Sequence, residues 1–197
     1  MIRVEVSCPY KEKPRKEEKQ EYGGISLFLR SVKHKGAVIV PNKVDYAAGV
    51  RIRGEYLLDK ILIADDMSDE YIVLLGGPLS SNSGKLLNSS SNVKFIVLKD
   101  ERGSNLVQMK VLNSSWIVKK DDFGKKDYGV VVLINMSGKQ VLWVAGCTRY
   151  GTYAAALMLV SRGYKFNTEL IVVEWVDLNE NNRVETFECK ILLSDRR

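Results

Sequence analysis

The stretch Val141–Gly163, VLWVAGCTRYGTYAAALMLVSRG, decides the fold. Val141–Ala145 is a continuous apolar run, as a strand buried on both faces requires. Gly146 and Gly151 flank a turn carrying Thr148 and Arg149, and the chain from Thr152 is nearly all apolar, as in a core helix. Thr152 is a suitable helix N-cap residue. A buried strand that turns directly into a buried helix is the unit of an α/β protein. Such a turn has two readings. It either presents helix N–H groups to an anion, or it simply joins a core strand to a core helix.

Outward from this unit, the same pattern recurs. Tyr71–Leu75 is a second continuous apolar run, closed by Gly76-Gly77-Pro78. Ile25–Lys35 has apolar residues at helical spacing before Gly36, and Ala37–Val40 reads as a short buried strand stopped by Pro41. Tyr56–Ala64 fits both helical and strand periods. Ser80–Ser91 is polar, with room for a short helix around Lys85–Asn88. Val93–Leu98 reads as a strand. Residues 105–120 and 128–134 alternate like hairpin strands, with DDFGKKD as the turn between them, and Ser137-Gly138 makes the next turn. Ile2–Val6 also alternates. The predicted fold is α/β: a single mixed, partly parallel sheet with packed helices, Rossmann- or flavodoxin-like, with added antiparallel hairpins. Residues 1–197 form one domain, with a charged loop at 10–24 and a terminal β-hairpin at 168–193.

Length and composition fit this reading. A chain of 197 residues with 45% apolar and 27% charged side chains can bury a single core without staples. Cys8, Cys147 and Cys189 are too few and too scattered for a disulfide framework or a zinc site. The net charge is +6, yet the densest charge run, KEKPRKEEK at 11–19, mixes five basic with three acidic residues. Mixed signs suit a solvated loop. Lys33, Lys35, Arg51 and Arg53 lack interleaved aromatics, so nucleic acid is not an expected partner, and any such binding would be non-specific and salt-sensitive. No apolar run is long enough to span a bilayer, so membrane insertion is not expected. Without an apolar leader the chain reads as cytoplasmic, or as a piece of an exported surface protein.

Several chemistries are excluded. His34 is the only histidine and sits between Lys33 and Lys35, a solvated place, so serine or cysteine triads and histidine metal sites have no base or ligand. Gly84-Lys85 is not a phosphate-binding P-loop, because Leu79 and Leu86 stand where glycine and a hydroxyl are needed. Asp65-Asp66 and Asp121-Asp122 are adjacent pairs suited to turns and caps. What remains is a ligand site from the two glycine loops, drawn from Gly76, Gly77, Ser80, Ser81 and Asn82 together with Gly146, Thr148, Arg149, Gly151 and Thr152. The loops would share one crevice if their strands are parallel neighbours. Arg149 would clamp a phosphate or carboxylate. In the tail, Asp177, Asn179, Asn181, Glu185 and Glu188 occupy positions 1, 3, 5, 9 and 12 of a calcium-type loop, with Asn182 in place of the usual glycine. A plain hairpin turn explains the same residues.

Between about residues 70 and 185, the chain resembles a domain of archaeal S-layer and S-layer-related proteins, shared with unnamed bacterial domains. The matching residues are Gly76-Gly77-Pro78 with Asn82, Tyr128-Gly129-Val130, Val144-Ala145-Gly146 with Arg149, Gly151-Thr152 and Ala154-Ala155, and Asp177 with Asn179. Asn135-Met136-Ser137 replaces the family's asparagine-proline element, and Glu180-Asn181-Asn182 its glycine-aspartate-glycine run. The resemblance implies an α/β domain. Two function classes follow: a non-enzymatic domain for assembly with itself or other proteins, or for ligand sensing; and an enzyme or binder of a phosphorylated small molecule, nucleotide or sugar phosphate. Calcium is the one cofactor suggested.

Overall fold

The computed structural model describes residues 23–194. The Ile2–Val6 strand, nearly all of the charged loop and Cys8 lie outside the described residues.

The expected strand–helix unit is present. Strand β8 (Lys139–Gly146) leads into helix α4 (Arg149–Arg162). The other helices are α1 (Gly24–Ser31), α2 (Tyr46–Tyr56) and α3 (Asn82–Ser90). A seven-stranded sheet is built from β1 (Ala37–Ile39), β2 (Lys60–Leu62), β3 (Tyr71–Leu75), β7 (Lys126–Met136), β8, β9 (Leu170–Val176) and β10 (Cys189–Ser194). Its order is β10-β9-β7-β8-β3-β1-β2. The β8-β3-β1-β2 part is parallel and the β10-β9-β7-β8 part antiparallel. Strands β8 and β9 run the same way on either side of β7, so β8-α4-β9 is a split βαβ unit. A separate antiparallel sheet holds β4 (Val93–Lys99), β5 (Asn105–Val111) and β6 (Ser114–Val118).

The large sheet is buried on both faces, which is why its strands read as unbroken apolar runs. Successive side chains of β3 divide between the layers. Val73 and Leu75 join a cluster with Ile25, Ile52, Ala155 and Met158 of the helices α1, α2 and α4. Ile72 and Leu74 join the opposite cluster with Leu87 of α3 and Phe95 and Met109 of the small sheet. The chain leaves β1 through α2 on one face and leaves β3 through α3 on the other. The layer change falls between β1 and β3.

Two expectations need correction, and one region left open is resolved. Residues 105–120 do not pair with 128–134. They fold back on themselves at Leu112-Asn113, and β6 pairs with β5 while β7 enters the large sheet. Leu112 takes a left-handed conformation, φ 53°, in a turn without glycine or proline, so the sequence carried no punctuation there. The DDFGKKD segment therefore links two sheets. The ambiguous region resolves into α2 followed by β2. Finally, α4 begins one turn before Thr152. Thr148 is the N-cap, its hydroxyl accepting from the Tyr150 N–H at 3.3 Å, and Thr152 lies inside the helix.

The first turn of α4 is packed tightly on the sheet. Gly129 of β7 and Gly146 of β8 are cross-strand partners, and α4 lies directly on both. A Cβ on Gly129 would sit 2.1 Å from the Gly151 carbonyl oxygen, one on Gly146 2.1 Å from the Thr152 nitrogen, and one on Gly151 2.2 Å from the Tyr128 carbonyl oxygen. Helix backbone touches strand backbone there, and no methyl group fits between them. Gly54, exposed on α2, meets nothing within 4 Å. In urea unfolding, Gly54→Ala is expected to stabilise the protein by about 0.5–1 kcal/mol, whereas Gly151→Ala is expected to cost about 3 kcal/mol or more by overpacking. Equal effects of the two substitutions would refute the close approach.

Candidate functional site

The parallel strands β1, β3 and β8 end along one edge, and the segments that follow them enclose a cavity of about 250 Å³. β1 contributes Asn42, Val44 and Asp45; β3 contributes Gly77 to Ser80; β8 contributes Gly146 to Arg149. The two glycine loops thus share one crevice, at the layer change where open α/β sheets place ligands. Gly77, Ser80, Gly146, Thr148, Arg149 and Thr152 line it. Gly76, Ser81, Asn82 and Gly151 do not, and instead support it from behind. The indole N–H of buried Trp143 donates to the Gly76 carbonyl at 2.8 Å and ties the first loop to strand β8.

The anion expected at each helix end is a side chain of the protein. Under α4, the buried Asp127 carboxylate accepts from the backbone N–H of Thr148 (3.1 Å), Gly151 (2.8 Å) and Tyr128 (2.7 Å), and from the Thr148 hydroxyl. Burial pushes its carboxyl up to about 6, while these four donors pull the other way. Under α3, Asp65 accepts from the N–H groups of Asn82 (2.6 Å) and Ser83 (3.0 Å), and Ser81 caps the helix through the Gly84 N–H at 2.8 Å. Both loops therefore use the positive end of a helix, and in both an aspartate occupies it. Asp66 accepts from Ser68, and Asp122 from the Lys119 N–H, as turn and cap residues.

Arg149 is exposed at the rim. Its Nη2 donates to the Tyr150 hydroxyl at 3.0 Å and its guanidinium lies 4.9 Å from the Tyr150 ring centre. Tyr150 in turn stacks on Trp175, 5.0 Å and 9° apart. Arg51 lies over Tyr153, and a second cavity of about 450 Å³ beside the first is lined by Arg51, Arg149 and Arg183. Cys147 lines the crevice, but its thiol is buried and pushed well above the ordinary range, mainly by burial and further by Asp127. His34 is exposed, with φ 59°.

In the tail, Asp177 accepts from the N–H groups of Asn181 and Asn182, and Glu185 accepts from the amides of Asn179 (2.6 Å) and Asn181 (3.2 Å). Asn182 has the left-handed conformation the loop needs, φ 56°. Glu188 is buried and accepts from the Trp175 indole at 3.0 Å, the Leu178 N–H at 3.0 Å and the Glu185 N–H at 3.3 Å. Among the described residues no three histidine, cysteine, aspartate or glutamate side chains gather in a way that could hold a metal ion.

Sequence reasoning missed Asp45. It stands just before α2, where an aspartate normally caps, yet its side chain makes no cap hydrogen bond. It is 7% exposed, lines the crevice, and its Oδ2 would lie 3.2 Å from a Cβ on Gly76, whose φ is 104°. Burial alone raises its carboxyl to about 6. An aspartate before a helix resembles any cap, so nothing in the local sequence distinguishes it.

A sequence model of the S-layer like family, outer domain, matches residues 47–162, more than half of the chain. The chain belongs to this family. In this S-layer-like domain the match runs from α2 through α4, and so covers both glycine loops, Asp65, Asp127 and the small sheet, while the terminal hairpin lies outside it. No curated protein matches the chain.

The Asp45 charge has a pH signature. Its folded-state value, about 6, exceeds the ordinary 3.8, so the folded state holds the proton longer and stability falls as pH rises from about 4 past 6. Asp45→Asn is expected to raise the unfolding free energy at pH 7.5 by up to roughly 3 kcal/mol, with the gain vanishing near pH 4. A gain independent of pH would contradict this.

Proposed function

We propose that this S-layer-like domain is a non-enzymatic assembly module, a building unit that packs against copies of itself or against neighbouring proteins at a cell surface. The observation that carries the reading is the family match across the joint between α4 and the sheet. The site chemistry supports it. Asp65 and Asp127 occupy the helix ends, so the N–H groups that would cradle a phosphate already have partners. The crevice thiol of Cys147 is raised rather than lowered, which is the wrong direction for a nucleophile. His34 does not line the crevice.

A cell-surface location follows from the same reading, and of the two expectations it takes the piece of an exported surface protein over the cytoplasmic one. Among the described residues no helix is long and apolar enough to cross a membrane.

Sedimentation velocity over a range of concentrations tests the proposal, with negative-stain electron microscopy of the most concentrated samples, each with and without millimolar calcium. Concentration-dependent growth into oligomers or ordered sheets is expected. A monomer at every concentration in both conditions would overturn it.

A further inference from the structure

The crevice contains one charge that the fold does not use. Asp65, Asp127 and Glu188 are also poorly exposed or engaged carboxylates, and each accepts hydrogen bonds from named donors. Asp45 is 93% removed from solvent by its 7% exposure, and among the described residues no hydrogen bond or ion pair engages its side chain. A carboxylate in such a place is costly unless it meets a partner. Arg149 lines the same cavity and does not pair with it.

We propose that the crevice between the β1, β3 and β8 loops binds a small ligand bearing a primary ammonium group on a short apolar body, with Asp45 as its counter-ion. The ammonium group supplies the opposite charge and the hydrogen-bond donors that Asp45 lacks. Phe95, Val97 and Val107 of the small sheet, with Val44 beside Asp45, also line it and take the apolar body. The volume, about 250 Å³, is just under the range of drug-sized pockets and suits a ligand smaller than a nucleotide. A divalent cation is a poor occupant, because it requires several oxygen ligands and, among the described residues, Asp45 is the only carboxylate lining the cavity. A phosphate would face Asp45 with like charge.

The ammonium group could belong to a simple alkylamine or to an amino acid, and Arg149 at the rim separates the two. An amino acid carboxylate would gain from its guanidinium; an alkylamine would not. The site is independent of the assembly reading, since sedimentation reports one and ligand titration the other.

Isothermal titration of the whole chain with n-butylammonium chloride, norvaline and inorganic phosphate tests the proposal, on the wild type, Asp45→Asn and Arg149→Ala. The wild type is expected to bind at least one of the two ammonium probes, and Asp45→Asn to weaken that binding by about tenfold or more. Norvaline binding more tightly than butylammonium, with the advantage lost in Arg149→Ala, identifies an amino acid site. Equal or tighter butylammonium binding identifies an amine site. No heat from either ammonium probe at 20 mM (roughly the weakest affinity worth considering) overturns the proposal. Undiminished binding to Asp45→Asn, or binding of phosphate alone, overturns it as well. A circular dichroism spectrum that matches the wild type, with unfolding that stays cooperative, shows that Asp45→Asn retains the fold.

Discussion

A carboxylate buried beneath the first turn of α4 holds the two halves of this domain together. Gly129, Gly146 and Gly151 let helix backbone rest directly on strand backbone, which leaves no room for solvent between Gly151 and the sheet. The first N–H groups of a helix have no partner within it and carry partial positive charge. Closing that end against the sheet therefore demands an anion inside the contact. Asp127 lies two residues before Gly129 on β7, so the strand that provides the close approach also provides the charge. The glycines and the aspartate are one device, and it fixes the start of α4, which lines the crevice, against β7 and β8.

Much of this was legible in the sequence. The apolar runs at Tyr71–Leu75 and Val141–Ala145 could be read as buried strands because burial on both faces removes all polar residues from them. The glycine loops were legible because Gly76, Gly146 and Gly151 mark turns and tight contacts. What could not be read was who meets whom. Asp127 and Asp65 act on N–H groups far along the chain, and a local pattern cannot show that pairing. The helix α2 was hidden because Gly49 and Gly54 interrupt its apolar spacing. The hairpin at Leu112 was hidden because a leucine took a conformation usually left to glycine or asparagine.

Three aspartates around one crevice show how environment assigns different work to one residue type. Asp65 is largely satisfied by helix N–H groups near the surface, and its carboxyl is lowered overall although burial opposes it. Asp127 does the same task in the interior. Asp45 occupies a cap position without capping and faces the cavity. Its burial works against stability and is unexplained by packing, which is the mark of a site held for something outside the fold.

The most direct measurement is the unfolding free energy of Asp127→Ala at pH 7.5, compared with the wild type in urea. Removing the carboxylate leaves the Thr148, Gly151 and Tyr128 N–H groups without their acceptor in a dry contact. The expected loss is about 3–5 kcal/mol, the usual consequence of breaking a buried charged network from one side. A loss below about 1 kcal/mol, the scale of an ordinary cap, would contradict the view that this single carboxylate joins helix to sheet.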